Sequence, residues 1–192
     1  MREEIPQFWV IAGPNGAGKT TLVSGRVADR IPVVNPDEIA ARLPLIDGRL
    51  DERQAGTLAL RRRADLLADR ASFAVETTLT GASTLNLMRS ARRSGYKITL
   101  IYVGLSDPDL SLQRISDRMD VGGHAVPVSA ALRRYPASLA ALTGAIEIAN
   151  RTFILDNSGR RRRLLVVKEA GRIRFVARDL PDWIPPGLLD AD

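Results

Sequence analysis

Gly13-Pro14-Asn15-Gly16-Ala17-Gly18-Lys19-Thr20 fits the pattern G-x-x-x-x-G-K-[ST] at every fixed position. An apolar run of strand length, Phe8 to Ala12, precedes it, and a helix-compatible stretch begins at Lys19. The motif therefore sits between strand and helix, as its chemistry requires. Its glycines let successive backbone N–H groups turn inward around phosphate oxygens, while the helix start adds partial positive charge. Lys19 is placed to reach the β and γ oxygens of a triphosphate, and Thr20 to offer its hydroxyl to Mg²⁺. Gly13 through Thr20, with Thr21 beside them, are thus the expected ATP-binding residues, and Thr20 the expected metal contact. The loop predicts triphosphate binding and leaves the reaction open, because such loops serve kinases, hydrolases and switches alike.

Working outward, strand and helix signals alternate. Val33-Val34 reads as a second strand, and Asn35-Pro36-Asp37-Glu38 as a helix start in which Asn35 caps, Pro36 takes the first turn and Glu38 closes a capping box. Asp51 to Asp69 carries Ala55, Leu58, Ala59, Ala64, Leu66 and Leu67 at amphipathic spacing. Phe73 to Val75 reads as a buried strand ending at Glu76-Thr77-Thr78. A helix from Thr84 to Ser94 stops at Gly95, and Ile98 to Val103 is the most β-prone run. Pro108 to Met119 and Val128 to Ala149 read as helices, the second kinked or broken at Pro136, and Phe153 to Leu155 as a strand. Alternation of this kind predicts an α/β three-layer sandwich with a mainly parallel sheet, its ligands at the carboxyl ends of the strands. Leu164 to Val167 and Ile173 to Ala177 look like an added C-terminal β-hairpin, and the tail after Pro181 like a loosely packed end.

Composition bounds the reading. The chain has 192 residues, 45% of them hydrophobic, which suits one domain over 1–192. A net charge of +6 draws anions without choosing among them. The absence of cysteine excludes thiol catalysis and cysteine-based zinc sites, and His124 is the one imidazole. No run approaches the roughly 20 apolar residues of a membrane span, and the N-terminus lacks the layout of a secretory signal. A cytoplasmic protein is expected, since ATP is plentiful there.

A kinase needs a carboxylate to orient and deprotonate the acceptor hydroxyl, and cations to neutralise the charge in transfer. Asp37 and Glu76, each just beyond or at a strand end, are the carboxylates best placed. Asp37 also serves its helix N-terminus electrostatically, and Thr77 and Thr78 either bind substrate hydroxyls or cap. Arg114 and Arg118, four residues apart on one helix face, precede a loop with Gly122 and Gly123, the layout of a lid that closes over phosphates. Arg133 and Arg134 stand beyond it. The run Arg160 to Arg163 lies in a turn without interleaved aromatic residues, which argues against nucleic acid as a partner.

Taken in order and spacing, these pieces resemble the zeta toxin family of P-loop kinases over about residues 8–158. The likeness rests on the phosphate loop, Asn35-Pro36-Asp37-Glu38-Ile39-Ala40, Glu76-Thr77-Thr78-Leu79, Gly95-Tyr96, Arg114, Arg118, Gly122 to Pro127, Arg133-Arg134-Tyr135 and Asp156-Asn157-Ser158. The resemblance implies a fold like that of nucleoside monophosphate kinases. It also implies ATP- and Mg²⁺-dependent phosphorylation of the sugar nucleotide UDP-N-acetylglucosamine at the 3′-hydroxyl, and restraint by a small antitoxin protein. It makes Asp37 the general base and Lys19 the loop lysine, sets Glu76 near the substrate, and gives Arg118 or Arg114 the γ-phosphate. His124 stands where better-known members have arginine, and with Thr77, Thr78 and Arg134 it joins the expected substrate-binding set. A kinase of another small metabolite, antibiotic or nucleotide, or a nucleotide-dependent switch, is the alternative.

Overall fold

The computed structural model describes residues 4–46, 50–120 and 126–189. Among them seven strands form one sheet in the order β2-β3-β1-β4-β5-β6-β7. Here β1 is Gln7–Ala12, β2 Val33–Val34, β3 Phe73–Thr77, β4 Lys97–Gly104, β5 Arg151–Asp156, β6 Arg163–Glu169 and β7 Arg172–Val176. The first five strands pair in parallel, and the last two add an antiparallel hairpin to the edge of β5.

Strands enclosed on both faces should be apolar throughout. β4 follows that rule, with every residue from Ile98 to Gly104 buried. In β1 the faces separate at a period of two. Phe8, Val10 and Ala12 join the large core formed with Ala59, Leu66, Met88, Ala91, Leu142 and Ala145, while Ile11 packs with Val23, Val27 and Ala74 on the other face. The helices behind these names are α1 Lys19–Arg26, α3 Glu52–Ala68, α4 Ala82–Arg93 and α6 Val128–Ile148; α2 Pro36–Arg42 and α5 Pro108–Asp120 complete the set. Phe8 stacks on Phe73 across β1 and β3 with centroids 4.6 Å apart, an arrangement worth about 1 kcal/mol beyond its buried area.

The alternation and the terminal hairpin agree with the sequence expectation, while several local readings change. α6 runs as one helix through Pro136 rather than breaking; Tyr135, just before it, donates its hydroxyl to the Leu105 carbonyl at 2.7 Å and ties that turn to the sheet. Asn35 caps α2, but through the Asp37 N–H, and no bond from Glu38 closes a box among the described residues. The tail is not loosely packed. Trp183 and Leu188 belong to the main core, and the Trp183 ring lies so close to Gly104 that a Cβ there would stand 2.4 Å from it. Apolar area outweighs the irregular backbone of this segment.

Candidate active site

Parallel order places β1 between β3 and β4, and the chain leaves β1 toward one side before returning to the other. A crevice opens at such a switch point, beyond the carboxyl ends of the strands. The phosphate loop lies there. Gly13 has φ 141°, and a Cβ on it would meet the Val103 carbonyl oxygen at 2.1 Å, so only glycine lets the loop leave β1 against β4. At the other end Gly18 caps α1 in the left-handed region with φ 82° and no side-chain bond. The first N–H groups of α1 stay open, and no acidic residue occupies its first turn, which leaves an anion-binding terminus.

Asn15, Gly16, Gly18, Lys19, Thr20 and Thr21 line a cleft of about 570 Å³ together with Asp37, Arg63, Glu76, Thr77, Thr78, Thr80, Arg114, Arg118 and Arg134. Gly13, Pro14 and Ala17, expected in the same set, are buried and support the loop rather than line the cleft. Neighbouring structure braces the loop from three sides. Ser111 of α5 donates to the Asn15 carbonyl at 2.7 Å, Asn157 Nδ2 donates to the Ala17 carbonyl at 2.9 Å, and Arg162 Nη2 to the Gly18 carbonyl at 3.1 Å. Arg162 thus leaves the solvated run in which the sequence placed it.

Lys19 is 7% exposed and donates to the Pro14 carbonyl at 2.8 Å. Burial lowers its pKa to about 8, against the pull of Glu76 and Asp37, while Arg118 and Arg134 push the same way as burial. An anion in the cleft would reverse that balance. Glu76, at 9% exposure, accepts from Thr20 Oγ1 at 2.8 Å through Oε1 and from Asn35 Nδ2 at 3.1 Å through Oε2. Burial raises its pKa, with Lys19 and the Thr20 hydroxyl opposing. Asn35 is therefore more than a cap: Oδ1 accepts from the Asp37 N–H at 3.0 Å, so one side chain ties the α2 start to Glu76.

Thr20 in the first turn of α1 and Glu76 at the carboxyl end of β3 are hard oxygen donors in contact, a donor set that fits Mg²⁺ completed by phosphate oxygens and water. No cluster of three or more acidic or histidine side chains that could hold a metal ion exists among the described residues.

Asp37, Glu76, Thr77, Thr78, Arg114, Arg118 and Arg134 all come to the cleft, as the sequence suggested. Arg133 does not line it, and His124 lies outside the described residues with Gly122 and Gly123. Missed were Arg63, Thr80 and the bracing role of Asn157 and Arg162. Arg63 had a signal: Ala55, Ala59, Arg63 and Leu66 form the buried stripe of α3, whereas Ala64, read as part of that stripe, is exposed.

Loop, sheet order and cleft define the architecture of P-loop kinases. Residues 1–163 match the family model for zeta toxin, and the chain belongs to that family. A crystal structure of AvrRxo1-ORF1:-ORF2 with ATP superposes at a TM-score of 0.74 and 15% identity, over 88% of this chain and 60% of that one. This chain thus spans less than two thirds of that neighbour's length. The PezAT chromosomal toxin-antitoxin system of Streptococcus pneumoniae gives 0.63 and 16%, over 87% of this chain and 73% of its own. An uncharacterized protein of Haemophilus influenzae is 31% identical over 123 residues, which are 64% of this chain and 88% of that protein. No helix among the described residues is long and apolar enough to cross a membrane.

Proposed function

We propose that the chain is an ATP-dependent kinase that moves the γ-phosphoryl group to a hydroxyl of a small, phosphate-bearing acceptor, with UDP-N-acetylglucosamine the first candidate. The observation that carries this reading is one cleft shared by an open loop terminus, Lys19, four arginines and the exposed Asp37 carboxylate. A switch needs the loop; it does not need a free carboxylate among phosphate-binding cations.

In this reading the loop N–H groups and Lys19 hold the triphosphate, and Arg114, Arg118 and Arg134 neutralise charge on the transferring group. Thr20 and Glu76 would hold Mg²⁺, which when bound screens the phosphate oxygens. Asp37 accepts the acceptor's hydroxyl proton as that oxygen bonds to the γ-phosphorus and the bridge to ADP breaks. Membership of the zeta toxin family and the P-loop kinase architecture support the assignment. Likeness to the PezAT toxin-antitoxin system supports an antitoxin protein as partner.

The test is ATP consumption with Mg²⁺, with and without UDP-N-acetylglucosamine, following the sugar nucleotide by mass. A gain of one phosphate is expected, and Asp37→Asn should lower turnover by about 10²- to 10⁴-fold while ATP binding holds. Unmodified sugar nucleotide would exclude this acceptor, and full turnover in Asp37→Asn would exclude that base.

A further inference from the structure

α3 packs its stripe Ala55, Ala59, Arg63 and Leu66 inward. Three of these are what a buried helix face requires; the third position is a guanidinium, 9% exposed. Its Nε is fully buried without a hydrogen-bond partner. Among the described residues no carboxylate compensates it, and burial lowers its pKa. Arginine keeps its proton in proteins, so the charge persists, and an uncompensated buried charge is expensive. A fold keeps such a group when a ligand of opposite charge completes it.

What the side chain faces indicates what that is. Arg63 lines the same cleft as the phosphate loop, and so do Thr77, Thr78 and Thr80 at the end of β3. Thr78 and Thr80 share one hydrogen bond at 3.0 Å, so one hydroxyl proton of the pair stays available to a ligand. Leu79 between them is fully buried with φ 58°. Its core packing holds a strained turn that sets the threonines on the cleft. The whole cleft has five cationic side chains, Lys19, Arg63, Arg114, Arg118 and Arg134, against the carboxylates of Asp37 and Glu76.

We infer that Arg63, with the Thr78–Thr80 hydroxyls, is the binding group for a phosphate of the acceptor, which fixes the acceptor class as a phosphorylated metabolite or nucleotide conjugate. The planar guanidinium fork matches two phosphate oxygens, and the hydroxyl supplies a further donor. A substrate phosphate at Arg63 orients the acceptor in the cleft that also holds Asp37. This deepens the kinase reading and rests on it for the word acceptor; the anion site itself is a matter of binding.

The experiment fills the phosphate loop first, with Mg²⁺ and the non-hydrolysable β,γ-imido analogue of ATP. Inorganic pyrophosphate, UDP-N-acetylglucosamine, neutral N-acetylglucosamine and citrate are then titrated calorimetrically against the wild type, Arg63→Met and Arg63→Lys. The two phosphate compounds should bind the wild type, Arg63→Met should weaken them about 30-fold or more, and Arg63→Lys should recover part of the loss. Affinity for the ATP analogue should stay unchanged. Without ligand, Arg63→Met should melt no lower than the wild type, because an uncompensated charge has been removed. Equal pyrophosphate affinity in Arg63→Met, tighter binding of citrate than of the phosphate compounds, or a melting point several degrees lower would each overturn the assignment. Phosphate binding that depends on Arg63 without phosphoryl transfer to any acceptor would sink the kinase reading instead.

Discussion

Lys19 shows how a single side chain carries a pH dependence that the motif alone does not reveal. Burial lowers its pKa to about 8, and the phosphates of ATP favour the charged form. A lysine lowered in this way binds fewer protons folded than unfolded. Its burial therefore costs stability below pH about 8, and the cost fades as pH rises toward 10.5. For ATP the sign is the opposite. Below about 8 the ammonium is already formed, and above it each binding event must take up a proton. ATP affinity should hold steady up to that pH and then fall, approaching about 10-fold per pH unit. Calorimetry in buffers of different ionisation enthalpy should show proton uptake near one at about pH 9 and close to none at neutral pH. A Lys19→Arg protein should lose the uptake. A flat affinity across this range would mean that the lysine is charged throughout.

At the scale of elements, the joint between β2, α2 and β3 is made by Asn35. Its carbonyl caps α2 at the Asp37 N–H, and its amide holds the Glu76 carboxylate that also receives Thr20. Asn35→Ala removes both bonds and leaves a buried carboxylate oxygen unpaired. The expected loss is about 2 kcal/mol in urea unfolding, with weaker support for the Thr20–Glu76 contact. A loss below about 0.5 kcal/mol would make the Asn35–Glu76 bond incidental. The cap was legible in sequence, since Asn-Pro-Asp-Glu is a local signal; the second bond was not, because Asn35 and Glu76 are 41 residues apart. α3 gives the same lesson in reverse. Its helical period was legible, yet the register of its inner face was set by the sheet, and it chose Arg63 over Ala64.

For the molecule as a whole, the C-terminal tail closes the core. Trp183, 9% exposed, packs its ring 6.0 Å from that of Tyr102 and over Gly104, the last residue of β4. Trp183→Ala should cost about 3–5 kcal/mol in chemical denaturation, and truncation after Leu180 should cost at least as much. Gly104 also accepts, through its carbonyl, the N–H of Asn157, which reaches on to the phosphate loop. A loss of only about 0.5 kcal/mol in Trp183→Ala would return the tail to a surface appendage. Proline-rich composition misled here: Pro181, Pro185 and Pro186 signal irregular backbone, and irregular backbone is compatible with full burial of the side chains it carries.

The sequence by itself determined the phosphate loop, the strand and helix alternation, the mainly parallel sheet and the family. Each of these depends on residues close in the chain, or on an order of motifs read along it. It also named Asp37, Lys19, Thr20, Glu76 and the arginines Arg114, Arg118 and Arg134 as cleft residues, because strand ends in such a fold converge on one edge. Only the tertiary structure decided that Glu76 bonds Thr20, that Arg162 and Asn157 brace the loop, that the tail is core, and that Arg63 enters the cleft. Those outcomes depend on which distant groups meet and on what burial does to a charge, and neither is written in spacing along the chain.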